Sequence, residues 1–354
     1  MSTPFSFIPV YAQGDPGNGI AGYDLKSASD RSFAFDYDSS GKLNHIVLYR
    51  PGTGTIWIIR NLGGDNFSTV YRQGDPGSGI GGYDLKSTAD RAFAFDYDSS
   101  GKQDHIVLYR PGTGTIWILG NRGGQFSPVY AQGDPGSGIG GYDLKSSADI
   151  VFPFDYKGTG KLDHLVLYRP GTGTIWILNH NGVQFAPVYQ GGGIGGYDLR
   201  SPNDRAFAFD YDSSGKLDHL ALYRPGTGTI WILRNQNGNF IPVYQQGDPG
   251  IGIGGYDLKS TADLAFAFDY DKSGKLDHLV LYRPGTGTIW ILKNSNGQFT
   301  PVYQQGDPGA GIGFYDLRSP ADLVYAFDYN KTGNQDHLAL YRPGTGTMWI
   351  LKRQ

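Results

Sequence analysis

An all-β, six-bladed β-propeller of four-stranded antiparallel blades is the fold class this sequence predicts. Three observations lead there. One tryptophan recurs at Trp57, Trp117, Trp176, Trp231, Trp290 and Trp349, spaced by 60, 59, 55, 59 and 59 residues, which suits a blade better than a helical solenoid unit. Each repeat holds four short strand-like runs separated by Gly-, Pro- or Asn-rich turns, and no segment carries a 3.6-residue apolar period. The termini are out of phase with the repeat, since the chain starts on a lone fourth-strand run, residues 5–11, and stops after a third-strand run, residues 347–351. The N-terminal run is therefore expected to complete the last blade and close the ring, removing a pair of bare sheet edges. One repeat cannot bury a core alone, so residues 1–354 are read as a single domain of stacked repeats.

The second repeat justifies each element in turn. Strand A covers residues 91–97 and runs into an acidic loop at 98–104. Strand B, 105–110, and strand C, 115–119, are almost continuously apolar, as in a sheet covered on both faces. Strand D, 125–130, carries Pro128, repeated as Pro187, Pro242 and Pro301, and proline belongs on an edge. A long Gly-rich connection follows, residues 132–149, shortened in the fourth copy to 190–204. Connections of that length often carry function. The A–B and C–D turns leave a blade at one end, and the B–C and D–A connections at the other.

Composition removes several classes. The formal net charge is −3, so no general basic field suits nucleic acid. Cysteine is absent, which excludes disulfides and thiolate zinc. No apolar run reaches membrane-spanning length, so membrane insertion is not expected. The start lacks a basic segment followed by an apolar one. A cytoplasmic or non-classically secreted protein is expected, or an extracellular one if a leader has been removed.

The acidic loop follows an Asp-x-Asp-x-Ser-Gly-x-x-Asp plan. Positions 1, 3, 5 and 9 are Asp36, Asp38, Ser40 and Asn44 in the first copy and Asp96, Asp98, Ser100 and Asp104 in the second. The fourth has Asp210, Asp212, Ser214 and Asp218, the fifth Asp269, Asp271, Ser273 and Asp277, and the sixth Asp328, Asn330, Thr332 and Asp336. Alternate residues of a turning backbone aim oxygens at one centre, and mixed carboxylate and neutral oxygens suit Ca²⁺. The bland alternative is an Asx-rich turn without metal. The third copy places Lys157 at position 3, where its ammonium is expected to pair with Asp155 and Asp163 and plug the loop. About five Ca²⁺ sites are thus expected, structural in role.

These loops, with the Tyr-Arg-Pro-x-Thr-Gly-Thr and Trp that follow, resemble the calcium-binding repeats of integrin-α-like (FG-GAP/VCBS-type) propellers, above all bacterial ones. The resemblance runs through every repeat and implies calcium in the A–B hairpins. The integrin Phe-Gly and Gly-Ala-Pro signatures are missing, and the hydroxyl at position 5 implies weaker sites. The layout is also similar to fungal integrin-like propeller lectins, which implies sugar sites associated with the blades.

At the other end of each repeat a Tyr-Asp-Leu-Lys/Arg motif meets the arginine that ends strand B. The candidate ligand-binding residues are Tyr23, Asp24, Lys26 and Arg50, then Tyr83, Asp84, Lys86 and Arg110, then Tyr142, Asp143, Lys145 and Arg169. The remaining copies are Tyr197, Asp198, Arg200 and Arg224, Tyr256, Asp257, Lys259 and Arg283, and Tyr315, Asp316, Arg318 and Arg342. An aromatic ring, a carboxylate and a cation beside a Gly-rich backbone are what a sugar needs. The alternative is that Asp30, Asp90, Asp149, Asp204, Asp263 and Asp322 pair with those arginines and only pin the loops. Six histidines, His45, His105, His164, His219, His278 and His337, follow the acidic loop. Like the tryptophans and the strand-B tyrosines, they read as packing residues.

No repeat bears a private acid, base or nucleophile, so no catalytic residue is expected. The favoured function is a calcium-stabilised multivalent carbohydrate-binding protein (lectin) with glycans or glycoconjugates as partners. A protein–protein interaction scaffold is the alternative, and a lyase or hydrolase working at the central channel comes third.

Overall fold

A computed structural model describes residues 7–354, and it contains six four-stranded antiparallel sheets and no helix among those residues. The fold class is the six-bladed β-propeller that the repeat predicts. The N-terminal strand is β1 (Phe7–Ala12). The first blade is β2 (Arg31–Phe35), β3 (His45–Arg50), β4 (Thr55–Gly63) and β5 (Asn66–Arg72), and the second is β6 (Arg91–Phe95), β7 (His105–Arg110), β8 (Thr115–Arg122) and β9 (Gln125–Ala131). The third comprises β10 (Ile150–Phe154), β11 (His164–Arg169), β12 (Thr174–His180) and β13 (Phe185–Gly192), and the fourth β14 (Arg205–Phe209), β15 (His219–Arg224), β16 (Thr229–Gln236) and β17 (Asn239–Gln245). The fifth is β18 (Leu264–Phe268), β19 (His278–Arg283), β20 (Thr288–Ser295) and β21 (Gln298–Gln304). The sixth has β22 (Leu323–Phe327), β23 (His337–Arg342) and β24 (Thr347–Arg353), with β1 beside β24 as its fourth strand. The expected closing strand thus pairs where the termini said it would, although residues 5 and 6 of that run lie outside the described residues.

Two compact units hold these blades, Ser29–Pro202 with the first three and the chain up to Ala28 with Asn203–Gln354 with the other three. Within each unit the core lies between neighbouring sheets. Strands β3, β19 and β23 are buried at every position, as their unbroken apolar runs require. Phe95, Val107 and Ile116 of the second blade pack against Leu165, Leu167 and Leu178 of the third. Truncating one such side chain to alanine typically costs about 2–5 kcal/mol. A polar stitch accompanies this packing, since Tyr109 Oη accepts the Val151 N–H at 3.2 Å.

Two strands of the second blade differ from expectation by more than one residue. Strand A stops at Phe95 rather than residue 97, because Asp96 is drawn into the acidic loop and Ser100 and Gly101 N–H donate to its carboxylate at 2.9 and 2.8 Å. Strand C runs on to Arg122, carrying the C–D hairpin beyond the core. The strand-D prolines do lie on an edge strand. Pro128, Pro187, Pro242 and Pro301 each immediately precede a register shift in the pairing with strand C, where an edge tolerates a missing N–H.

Candidate functional site

At the A–B end of each blade, position 1 of the acidic loop is buried and positions 3 and 5 are exposed. Asp36, Asp155, Asp210, Asp269 and Asp328 accept the same pair of backbone N–H groups as Asp96 does. Burial pushes the Asp96 and Asp210 carboxyls up to about 6, with the neighbouring Asp98 and Asp212 adding to it and the backbone N–H groups opposing. The loops also interlock within each unit. The Asp210 N–H of the fourth blade donates to the Leu276 carbonyl of the fifth at 3.4 Å, as the Asp96 N–H of the second donates to Leu162 of the third.

Positions 3 and 9 gather with the following imidazole in three blades. Asp98, Asp104 and His105, Asp212, Asp218 and His219, and Asp271, Asp277 and His278 each bring their ligand atoms within 4.8 Å of one another. In the fifth blade Asp277 Oδ1 and His278 Nδ1 are buried and approach to 2.7 Å without the alignment of a hydrogen bond. That separation calls for a hydrogen on Nδ1 or a cation between the two atoms. These residues therefore fit a cation, with one nitrogen donor that is softer than Ca²⁺ prefers. The histidines, read from sequence as packing residues, do pack against Tyr97, Tyr211 and Tyr270, but their Nδ1 atoms face the loop. Their constant place directly after position 9 was the available signal.

Lys157 does not form the internal ion pair expected of a plug. It is exposed and makes no ion pair among the described residues, because position 3 points outward in this loop. Asp163 is instead within 2.6 Å of His164 Nδ1. Burial would raise Asp163, but His164 and Ser99 outweigh it, with Lys157 adding to them, and hold it below the ordinary carboxylate range.

At the opposite end, the D–A and B–C connections build a cleft, described here in the second blade. Arg110 ends β7 and lies 10% exposed. Its Nε and Nη2 donate to the two oxygens of Asp90 at 2.8 and 3.0 Å, Nη2 also donates to Asp84 at 2.7 Å, and Nη1 pairs with Asp134. The guanidinium lies 5.6 Å from the Tyr83 ring centroid, and Tyr83 Oη donates to Asp90 at 2.7 Å. Asp134 also accepts from Thr115 Oγ1 at 3.1 Å. Trp117 Nε1 donates to the Gln132 carbonyl at 2.6 Å, and its ring meets Tyr83 edge to face at 5.9 Å.

Gly82, Tyr83, Asp84, Arg110, Thr115, Trp117 and Asp134 line a cleft of about 120 Å³. The fifth blade repeats it with Gly255, Tyr256, Asp257, Arg283, Thr288, Trp290 and Asp307 around about 170 Å³. Both are smaller than ordinary drug-sized pockets. Backbone geometry keeps the clefts open. A Cβ on Gly82 would stand 3.3 Å from the Trp117 ring. Leu85 is buried at φ 52°, an uncommon value for leucine, and its carbonyl receives the Gly52 and Gly54 N–H groups of the first blade's B–C turn, as the Leu144 carbonyl receives those of Gly112 and Gly114. The same leucine conformation, φ 51–53°, recurs at Leu25, Leu144, Leu199, Leu258 and Leu317.

The arginines are pinned by aspartates, as the second of the two sequence readings expected. Asp90, Asp149, Asp263 and Asp322 pin Arg110, Arg169, Arg283 and Arg342, as Asp30 and Asp204 pin Arg50 and Arg224. Tyr83, Asp84 and Arg110, like Tyr256, Asp257 and Arg283, still line a cleft. Lys86 and Lys259 do not, and Lys26, Lys145, Arg200 and Arg318 are likewise exposed. Sequence reasoning missed Thr115, Trp117 and Asp134 and their fifth-blade equivalents. The recurrent Gln-Gly-Asp-Pro-Gly of five connections was the signal for the aspartate. The sixth copy departs at one point. Phe314, 83% exposed at φ 71°, stands where the second blade has Gly82.

No known family profile matches the chain, and no curated protein matches it. Among solved structures, an Agrocybe aegerita lectin that recognises non-reducing terminal N-acetylglucosamine aligns at TM-score 0.56 and 19% identity, covering 94% of this chain and 81% of its own. A Bacteroides fragilis protein provisionally assigned as a 6-phosphogluconolactonase aligns at TM-score 0.49 and 12% identity over 100% and 92%. At these identities the likeness is one of fold.

Proposed function

We propose that this chain is a multivalent carbohydrate-binding protein whose ligand sites are the clefts around Arg110 and Arg283 and their equivalents. The observation that carries the reading is one cleft chemistry repeated on several blades. A pyranose presents a C–H face to an aromatic ring and hydroxyls to a carboxylate and a guanidinium. Trp117 and Trp290 supply the ring, and Asp84 and Asp257, about half exposed, supply acceptors already oriented by arginine. The lectin with a similar fold supports this use by analogy. Small clefts imply weak single sites, and repetition converts them to avidity on a decorated surface. The clefts share the same side chains, so none offers a distinct acid and base pair, which favours binding over catalysis.

Calcium at the acidic loops is the second part of the proposal. Asp98 with Asp104, Asp212 with Asp218, and Asp271 with Asp277 would hold it. A bound divalent ion supplies charge that offsets the clustered carboxylates. The role is to fix the A–B hairpins at the end of the blade away from the clefts.

Calorimetric titration and a glycan array test the first part. N-acetylglucosamine or another neutral sugar should bind at several sites per chain, and Trp117→Ala with Trp290→Ala should remove two of them. Binding to no glycan, with stoichiometric capture of a defined protein, would favour the scaffold reading. For calcium, a melting temperature indifferent to chelator and to added Ca²⁺ would remove that part.

A further inference from the structure

We infer that the third blade carries a site of different specificity, selective for a carboxylate-bearing sugar such as a glucuronide. This rests on reading the clefts as saccharide sites. In the second blade the Asp134 carboxylate bridges Arg110 Nη1 and Thr115 Oγ1, while the Gln132 carbonyl takes the Trp117 indole N–H. The connection after the third blade is shorter, Tyr189-Gln-Gly-Gly-Gly-Ile194 against Tyr130-Ala-Gln-Gly-Asp-Pro-Gly-Ser-Gly-Ile139, and the aspartate is gone.

Its loss leaves donors without acceptors. Arg169 keeps Asp149 at 2.8 Å and Asp143 at 2.6 Å, but its Nη1 has no partner among the described residues, and its side chain is 23% exposed against 10% for Arg110. Thr174 Oγ1 accepts from Thr172 at 3.1 Å, and among the described residues neither Thr174 Oγ1 nor Trp176 Nε1 has an acceptor. Tyr142 still stacks on the guanidinium at 5.6 Å and still meets Trp176 edge to face. The aliphatic stem of Arg200, an exposed residue, passes beside the Gly173 turn. Two donors, Arg169 Nη1 and Thr174 Oγ1, thus face the place that the Asp134 carboxylate fills in the second blade, the indole N–H beside them has lost its carbonyl, and one negative charge of that balance is missing. A ligand carboxylate restores both. One oxygen takes Arg169 Nη1, the other takes Thr174 Oγ1, and the ring lies against Trp176, as charge-assisted pairing and aromatic stacking favour.

The test is ¹⁵N-tryptophan NMR of the full chain, following the six indole N–H signals during titration with methyl β-glucuronide and, separately, methyl β-glucoside. The Trp176 signal should shift saturably with the glucuronide and at least about tenfold more weakly with the glucoside. Gly192→Asp supplies the missing carboxylate from within. Gly192 is paired across the sheet with Thr174, is exposed, and a Cβ there meets nothing within 4 Å. That variant should abolish the shift. Thr174→Val, which keeps every charge, should weaken it about tenfold. No saturable shift at Trp176, an equal response to the glucoside, or an unchanged response in Gly192→Asp would each overturn the inference. Failure of neutral sugars at the other five indoles would overturn the general lectin reading and leave this readout standing.

Discussion

The clefts of the second and third blades share an arginine, a tyrosine, a tryptophan and a buried aspartate in the same arrangement, yet they present opposite chemistry. In the second, the D–A connection folds back so that Asp134 satisfies Arg110 and Thr115. In the third, the connection is too short to do so, and Arg169, Thr174 and Trp176 face outward as donors. A repeat can thus keep its scaffold and change its ligand by trimming one loop, because the buried Arg–Asp pair holds the geometry without help from that loop.

The largest expected effect tests whether the pair is indeed the anchor. Arg110→Met strands the fully buried Asp90 and should destabilise the fold by about 3 kcal/mol. Arg169→Met should cost roughly 2 kcal/mol, since that side chain is more exposed and has one carboxylate fewer. Urea midpoints measure both, and equal losses would remove the distinction between the blades.

A second prediction should not discriminate the clefts and serves as their control. Burial pushes the Tyr49 and Tyr223 phenols up to about 12. Their contribution to stability is complete below the unfolded value of 10.0 and is lost as pH rises through 12. Alkaline unfolding should therefore set in above pH 10, equally in the parent and in Gly192→Asp, when followed by near-ultraviolet circular dichroism.

Asp134→Ala should convert the second cleft toward the third. The expected cost is about 1–2 kcal/mol from lost charge-assisted hydrogen bonds. The Trp117 indole should then begin to respond to methyl β-glucuronide, and silence there would show that loop length matters beyond the missing carboxylate. The smallest effect concerns the sixth blade. Phe314→Gly should stabilise by about 1 kcal/mol, because phenylalanine at φ 71° is strained and glycine is not. A loss of sugar affinity at Trp349 in the same variant would mark Phe314 as a stacking platform.

Much of the fold was legible because its signals are local. The unbroken runs of β7 and β11, the prolines of strand D and the phase of the termini each follow from what a strand or an edge tolerates, and the boundaries of β7 were read to the residue. The end of strand A was misplaced because Asp96 obeys its own loop's N–H groups and not the strand propensity of Tyr97. The candidate site was half legible. Tyr83, Asp84 and Arg110 share a short motif and a turn, whereas Thr115, Trp117 and Asp134 join them only through the following connection.

By itself, then, the sequence determined the number of blades, the strand that completes the last of them, the acidic loops and the shortened fourth connection, all of which are matters of period, apolar run and spacing. Only the tertiary structure decided which donors those loops satisfy. Whether an arginine is an anchor, a ligand group or both depends on which carboxylates reach its three nitrogens. That depends on how far a loop folds back, a distance that no residue in the loop specifies alone.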